Sequence, residues 1–164
     1  MLDEEIGIKA KDFMPLHEYL HNEDFAPRLI GSDGQRRLQG VLLQEDKDTA
    51  AINIAKVYLA ASKIQFSTVQ DLCIQKLMAL YPVSTGKLLI VVMIMLKADQ
   101  YGCDAEQEAF DWLVAHITEC YFILMKNEGG ALARLMWENK ELSQEVRLKL
   151  HQNLDAGWLG WDVD

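Results

Sequence analysis

From Thr49 onward, apolar side chains recur at intervals of three and four residues, which is the spacing of one face of an α-helix. Ser67 and Gln70 have the spacing of a capping box, which predicts a helix start at Ser67. One proline and three glycines interrupt the pattern: Pro82, Gly102, Gly129 and Gly130. We therefore predict a nearly all-α fold of about six to seven helices, packed antiparallel as a bundle or stack because short loops join them.

The part of the chain before Thr49 is less regular. A helix is predicted over roughly 12–21, with Pro15 tolerated in its first turn. The following stretch is rich in loop signals, and one short β-hairpin is predicted near residues 28–43. We therefore divide the chain into three parts: an acidic N-terminal segment over 1–9, a single helical domain over 10–156, and an aromatic and acidic tail over 157–164.

The longest apolar run extends from Leu88 to Leu96 and is nine residues long. A transmembrane helix needs about 20 apolar residues, so the run predicts a buried helix and no membrane partner. Because this helix is apolar nearly all round, we expect it to be the central one of the fold.

The charge of the chain bears on its partners and its compartment. Lys and Arg total 16 against 25 Asp and Glu, a formal charge of -9, which predicts repulsion by the phosphates of nucleic acids. The three cysteines are far apart and form no CxxC pair, and the acidic residues after Met1 do not fit a signal peptide. We therefore expect an intracellular protein, nuclear or cytoplasmic, that does not bind nucleic acid directly.

One stretch has the spacing of a catalytic motif. His17, Glu18 and His21 match H-E-x-x-H, in which two histidines one helical turn apart bind zinc and the glutamate activates a water molecule. Asp24 and Pro27 stand at the offsets where the extended metzincin form has Gly and His, and the only proposed third ligand, Glu45, lies in a loop-rich segment. A zinc-dependent hydrolase therefore remains the alternative hypothesis, and our main interpretation is a helix end carrying two ordinary histidines.

No other residue predicts catalysis or a cofactor. His116, Cys73 and Cys120 lie on apolar helix faces, where such side chains belong to the core. Cys103 follows Gly102 at a predicted helix start, which favours a lowered thiol pKa, but no histidine is adjacent to it in sequence. We predict no catalytic residue, no bound metal and no cofactor.

Two stretches of the chain resemble the BTB/POZ domain family of the fungal type. Residues 16–25, Leu-His-Glu-Tyr-Leu-His-Asn-Glu-Asp-Phe, are similar to the family's "eYLYtgdY" element. Residues 55–64 together with 69–77 are similar to the helix pair near the end of that domain. The resemblance covers roughly residues 12–100, and the segment 101–156 looks like the helical extension that follows the domain.

The resemblance implies a non-catalytic adaptor or scaffold. Domains of this family self-associate, recruit cullin-type ubiquitin ligases or scaffold transcription and chromatin complexes. The family's N-terminal part, with its dimer-forming helix, has no counterpart in this sequence, so we expect a fragment or a shortened member.

We therefore predict a module that binds another protein, as a hetero- or homo-oligomer. A subunit of an obligate complex, inactive alone, is a further interpretation, and it predicts a large exposed apolar patch. Apolar anchors in a groove between helices would supply the affinity. The residues that we predict to contact the partner are aromatic or aliphatic and lie in three segments: Tyr19, Phe25, Ile64, Phe66, Trp158 and Trp161.

Overall fold

The computed structural model describes residues 10–32, 35–98 and 106–155, and within them the chain forms six α-helices and one small hairpin. A 3₁₀ turn over Ala10–Phe13 precedes the first helix. The elements in chain order are α1 (Met14–Asn22), β1 (Leu29–Ile30), β2 (Arg37–Leu38), α2 (Gln44–Lys63), α3 (Ser67–Leu80), α4 (Thr85–Leu96), α5 (Glu106–Glu138) and α6 (Lys140–Asp155). The predicted all-α class is confirmed, and so is the hairpin within residues 28–43.

The chain divides into two compact units, Met1–Ala109 and Phe110–Asp164, called here the N-terminal and the C-terminal unit. Among the described residues, no helix is both long enough and apolar enough to cross a lipid bilayer.

Helix α2 is the centre of the N-terminal unit, because it contacts the 3₁₀ turn, α1, α3 and α4. Its fully buried face is rich in alanine (Ala51, Ala55, Ala60 and Ala61), and small side chains allow neighbouring helices to approach closely. The prediction that the run in α4 would be central is therefore wrong. The apolar side chains of α4 are buried, as its composition indicates: Leu88, Leu89, Val91, Val92, Ile94 and Met95. A helix can be buried in this way without contacting more elements than its neighbours do.

Helix α2 starts at Gln44, five residues before the periodic pattern that revealed it. The side chain of Asp46 accepts a hydrogen bond from the Leu43 amide at 3.3 Å, which satisfies one of the unpaired groups of the first turn. Glu45 and Asp46 also place negative charge at the positive end of the helix dipole.

The capping box predicted at Ser67 is not formed, and the residue that precedes the first turn of α3 is Phe66. Gln70 instead turns into the core and donates from Nε2 to Ser62 Oγ at 2.8 Å. Ser62 Oγ in turn donates to the Tyr58 carbonyl oxygen at 2.9 Å. This buried chain of hydrogen bonds connects α3 to α2 and occupies the side chain that would have closed the capping box.

The N-cap of α4 is Ser84. Asp48 of α2 holds this end of the helix by accepting a hydrogen bond from the Ser84 amide at 2.9 Å. Partial burial acts to raise the pKa of Asp48, but hydrogen bonds from Ser84 and Gln44 and the charge of Lys87 outweigh it, so that the pKa lies below its ordinary value.

The hairpin pairs Leu29 with Leu38 and Ile30 with Arg37 in antiparallel register. It closes at Gly31, whose φ of +105° is accessible to glycine and strained for other residues. A Cβ atom there would lie 2.6 Å from the Gln35 carbonyl oxygen. The hairpin sends Leu38 into the core, where it is 4% exposed.

Helix α5 is bent in the C-terminal unit at Glu128, whose φ and ψ are -132° and 27°. The bend immediately precedes Gly129 and Gly130, where the sequence predicted a break. Helix α6 begins at Lys140, and its first turn is closed by the Ser143 amide, which donates to the Asn139 carbonyl oxygen at 3.0 Å. The buried apolar residues of this unit are Trp112, Leu113, Val114, Ile117, Leu124, Leu132, Leu135, Leu142 and Val146.

Candidate functional site

Three of the six predicted partner-contacting residues lie at one corner of the N-terminal unit. The rings of Tyr19 on α1 and Phe66 between α2 and α3 meet edge to face, with centroids 5.5 Å apart and planes at 88°. Ile64 lies two residues before Phe66 and is 53% exposed. Gln65 between them has a φ of +56°, so the chain turns sharply here. We call Tyr19, Ile64 and Phe66 the aromatic corner.

Phe25 does not belong to that surface, because it is only 1% exposed. The ammonium group of Lys76 lies 3.7 Å from the centroid of its ring, and it also bonds the Phe25 carbonyl oxygen. The prediction that Phe25 contacts a partner is therefore wrong. It assumed that an aromatic residue following a polar helix end lies at the surface. Phe25 contributes to the core and is not available to a partner.

Lys76 is the centre of a buried polar cluster that the sequence did not reveal. It is fully buried on α3, pairs with Asp24 at 2.6 Å, and donates to the Pro27 carbonyl oxygen at 2.8 Å. Asp24 also accepts hydrogen bonds from the amides of Phe25 and Leu29 at 2.7 and 3.2 Å. Burial lowers the pKa of Lys76, and the hydrogen bond and charge of Asp24 oppose that shift. The cluster attaches the loop after α1 to α3.

The histidines of the H-E-x-x-H motif lie on one face of α1, as predicted, with ring centroids 4.6 Å apart. Glu18 is engaged elsewhere, because its Oε2 atom accepts a hydrogen bond from the Ala26 amide at 3.1 Å. Within residues 10–32, 35–98 and 106–155, no group of three His, Cys, Asp or Glu side chains is placed to hold a metal ion.

The remaining titratable candidates are core or half-buried side chains. Burial raises the pKa of the Cys73 thiol, which opposes formation of a nucleophilic thiolate. His116 is half-buried against the Trp112 ring at a centroid distance of 4.3 Å, and its Nδ1 donates to the Trp112 carbonyl oxygen at 2.7 Å. Burial lowers the pKa of His116, and the Trp112 carbonyl and Glu119 oppose that shift. Cys103, Trp158 and Trp161 lie outside the described residues.

An open groove of the C-terminal unit lies between the end of α5 and the first half of α6. Its volume is about 670 Å³, and we call it the C-terminal groove. Trp137 is 84% exposed at this groove, the most exposed large apolar side chain among the described residues. The residues that line the groove are Met136, Trp137, Lys140, Ser143, Gln144 and Arg147.

A smaller pocket of about 250 Å³ shares four of those residues and extends along α5 to Leu132, Met125 and Tyr121. Met125 is 46% exposed, so apolar surface continues beyond the groove. Lys140 and Arg147 form no ion pair with any residue that the structure describes. The groove therefore combines an apolar floor with two positive charges, in a chain whose net charge is -9.

Trp137 was not among the residues predicted from the sequence to contact a partner. The buried positions Leu132 and Leu135 define the inward face of this part of α5, and Trp137 lies about 140° away from Leu132 around the helix axis at 100° per residue. A large aromatic side chain off the apolar stripe is the signal that could have found it.

Comparison of the chain with protein-family models, curated proteins and solved structures finds no match.

Proposed function

We propose that this chain is a non-catalytic protein–protein interaction module, an adaptor or scaffold subunit, whose main contact surface is the C-terminal groove. The observation that carries the proposal is the 84% exposure of Trp137 beside an open apolar groove. Tryptophan and arginine are enriched among the residues that dominate binding energy at protein interfaces. The groove presents one of each, Trp137 and Arg147.

The aromatic corner is a second exposed surface that fits the same function. Tyr19 and Phe66 are each half-buried, so their rings are held in place by the fold and still offer an edge to a partner. Fixed aromatic side chains lose little conformational entropy on binding, which favours affinity.

We further propose that the module is BTB-like and serves a ubiquitin-ligase, transcription or chromatin complex. What supports this is the match of the two resembling stretches to elements of the fold. Residues 16–25 include most of α1, and residues 55–77 include the end of α2 and most of α3, which form a contacting helix pair.

The test is affinity purification of the tagged full chain from its own cells, for wild type and for Trp137→Ala. We expect the stoichiometric partner to be lost in the variant, because truncating an interface anchor costs about 2 kcal/mol or more, roughly thirtyfold in affinity. Leu42→Ala is the matched control, because Leu42 is 83% exposed and lies in the N-terminal unit. Equal recovery of the partner by all three chains would contradict a role for the groove.

A zinc-dependent hydrolase is the second candidate, favoured by the pairing of His17 and His21 on one helix face. It predicts zinc at about one ion per chain in the purified protein, lost in His21→Ala. Metal analysis of the same purified samples tests this prediction. Zinc-free wild-type protein would rule out the zinc-dependent hydrolase.

A further inference from the structure

We infer that the C-terminal groove is the docking site of the chain's own residues 156–164, called here the tail. The inference rests on the proposed function, since it names what occupies the groove when no partner is bound. The tail reads Ala-Gly-Trp-Leu-Gly-Trp-Asp-Val-Asp.

The chemistry of the tail matches the lining of the groove. Trp158 and Trp161 supply large apolar side chains for a floor made by Met136 and Trp137. Aromatic pairs of this kind contribute attraction beyond the apolar area that they bury.

The charges of the two partners are also complementary. Asp162 follows Trp161 directly, and Asp164 lies two residues further on. Lys140 and Arg147 line the groove and form no ion pair with a described residue. An arginine side chain can bind a carboxylate through two parallel hydrogen bonds, so Arg147 is suited to hold one of these aspartates.

The lengths of the segments permit this docking within one chain. Arg147 lies eight residues before the end of α6 at Asp155, and Lys140 lies fifteen, or about 12 and 23 Å along the helix. An extended chain covers about 3.3 Å per residue, so the backbone of Trp161, six residues past Asp155, can return about 20 Å. Gly157 is the second residue of the tail, and glycine readily adopts the conformations that a chain reversal requires.

Attachment to the same chain favours the tail over a free segment. A short connection within one chain gives the tail an effective concentration in the millimolar range at the groove. A tail from a second copy competes at the concentration of the free protein, which is far lower. A partner protein must therefore displace the tail, and the groove is self-occupied until it does.

The test uses the full chain with a photo-cross-linking residue in the tail, Trp161→p-benzoylphenylalanine. Mixing chains with light and heavy isotopes before irradiation separates cross-links within a chain from those between chains. We expect a cross-link within the chain that maps to the segment 133–147. Leu42→p-benzoylphenylalanine is the control for the background of cross-linking at an exposed position.

Charge reversal makes the test specific. Arg147→Glu is expected to lower the cross-link yield about threefold, and adding Asp162→Lys is expected to restore it. Cross-links between chains, cross-links outside the segment 133–147, or a yield that Arg147→Glu leaves unchanged would each overturn the inference.

The outcome is separable from that of the proposed function. If Trp137→Ala loses the partner while the tail cross-links elsewhere, the groove binds a partner without the tail. If the tail cross-links in the groove while Trp137→Ala keeps its partner, the groove serves the tail and the partner binds another surface.

Discussion

At the scale of single residues, Lys76 shows how a charged side chain is kept in a core. Its ammonium group lies on the Phe25 ring, pairs with Asp24 and bonds backbone carbonyl oxygens. Each contact replaces part of the hydration that burial removes. The same contacts hold the loop after α1 in place. The cluster therefore connects this loop to α3, which lies far from it in sequence.

We predict that Lys76→Met lowers the free energy of unfolding by about 3 kcal/mol, because removal of one partner leaves the Asp24 carboxylate and the loop carbonyls without their donor. Urea unfolding measures the change. Lys63→Met, at the exposed end of α2, is the matched control and is expected to stay within about 0.5 kcal/mol of wild type. A loss below about 1 kcal/mol for Lys76→Met would mean that the cluster contributes little net stability.

His116 gives the fold a dependence on mildly acidic pH. The pKa of His116 is lower in the folded chain than the ordinary value of 6.5. At a pH between the folded pKa and 6.5, the unfolded chain therefore binds a proton at this residue more readily than the folded chain does. The contribution of neutral His116 to stability is complete above pH 6.5 and is lost as the pH falls toward the folded pKa.

We expect the free energy of unfolding of wild type to be lower at about pH 5 than at about pH 7.5, and His116→Gln to remove part of that difference. Glutamine keeps a donor for the Trp112 carbonyl oxygen but does not titrate. Urea unfolding at the two pH values is the measurement. An identical pH dependence in both proteins would show that His116 is not responsible.

Phe25 illustrates what residue-level sequence reasoning could not predict. The type and neighbours of Phe25 resemble those of a surface aromatic, and the residue that buries it, Lys76, is 51 positions away. No periodicity within one helix reports a contact of that separation. The pairing of Tyr19 with Phe66 was missed for the same reason, although both residues were predicted separately to contact a partner.

At the scale of elements, the bend of α5 combines a distorted residue with two glycines. Glu128 leaves the helical region, and Gly129 and Gly130 follow it as helical residues. A Cβ atom at either glycine would meet nothing within 4 Å, and neither has a positive φ. The glycines therefore weaken the helix without being required by a close contact.

We predict that Gly129→Ala and Gly130→Ala each raise the free energy of unfolding by about 0.5–1 kcal/mol, because alanine has the higher helix propensity and restricts the unfolded chain. Thermal or urea unfolding measures the gain. Destabilisation by either substitution would indicate that the bend needs glycine's conformational freedom.

The positions of the helices could be predicted wherever the spacing of apolar residues was regular. The interactions at the helix ends were harder to predict. Helices α2 to α6 follow the stripes that the sequence shows. Helix α3 does start at Ser67, but the predicted capping box is not formed, because Gln70 is bound by Ser62, a residue of another helix. Local spacing cannot show that a side chain is already occupied by a neighbouring element.

At the scale of the whole molecule, net charge and composition anticipated an acidic, helical protein, but not its division into two units. The C-terminal groove depends on the turn from α5 into α6, which sets the spacing of side chains from Met136 to Arg147. Its residues are individually ordinary in the sequence. The exposed apolar positions therefore had to be read from the fold.

The burial of Lys76 also bears on how the cell can mark this chain. Acetylating and ubiquitin-conjugating enzymes need a free ε-amino group, and that of Lys76 has no exposed surface. Such enzymes can reach it only before the chain folds or after it opens. An acyl group there would remove the charge that Asp24 and the loop carbonyls require, so the modified chain could not regain the same core. A modified Lys76 recovered from cells would therefore identify molecules that were caught unfolded.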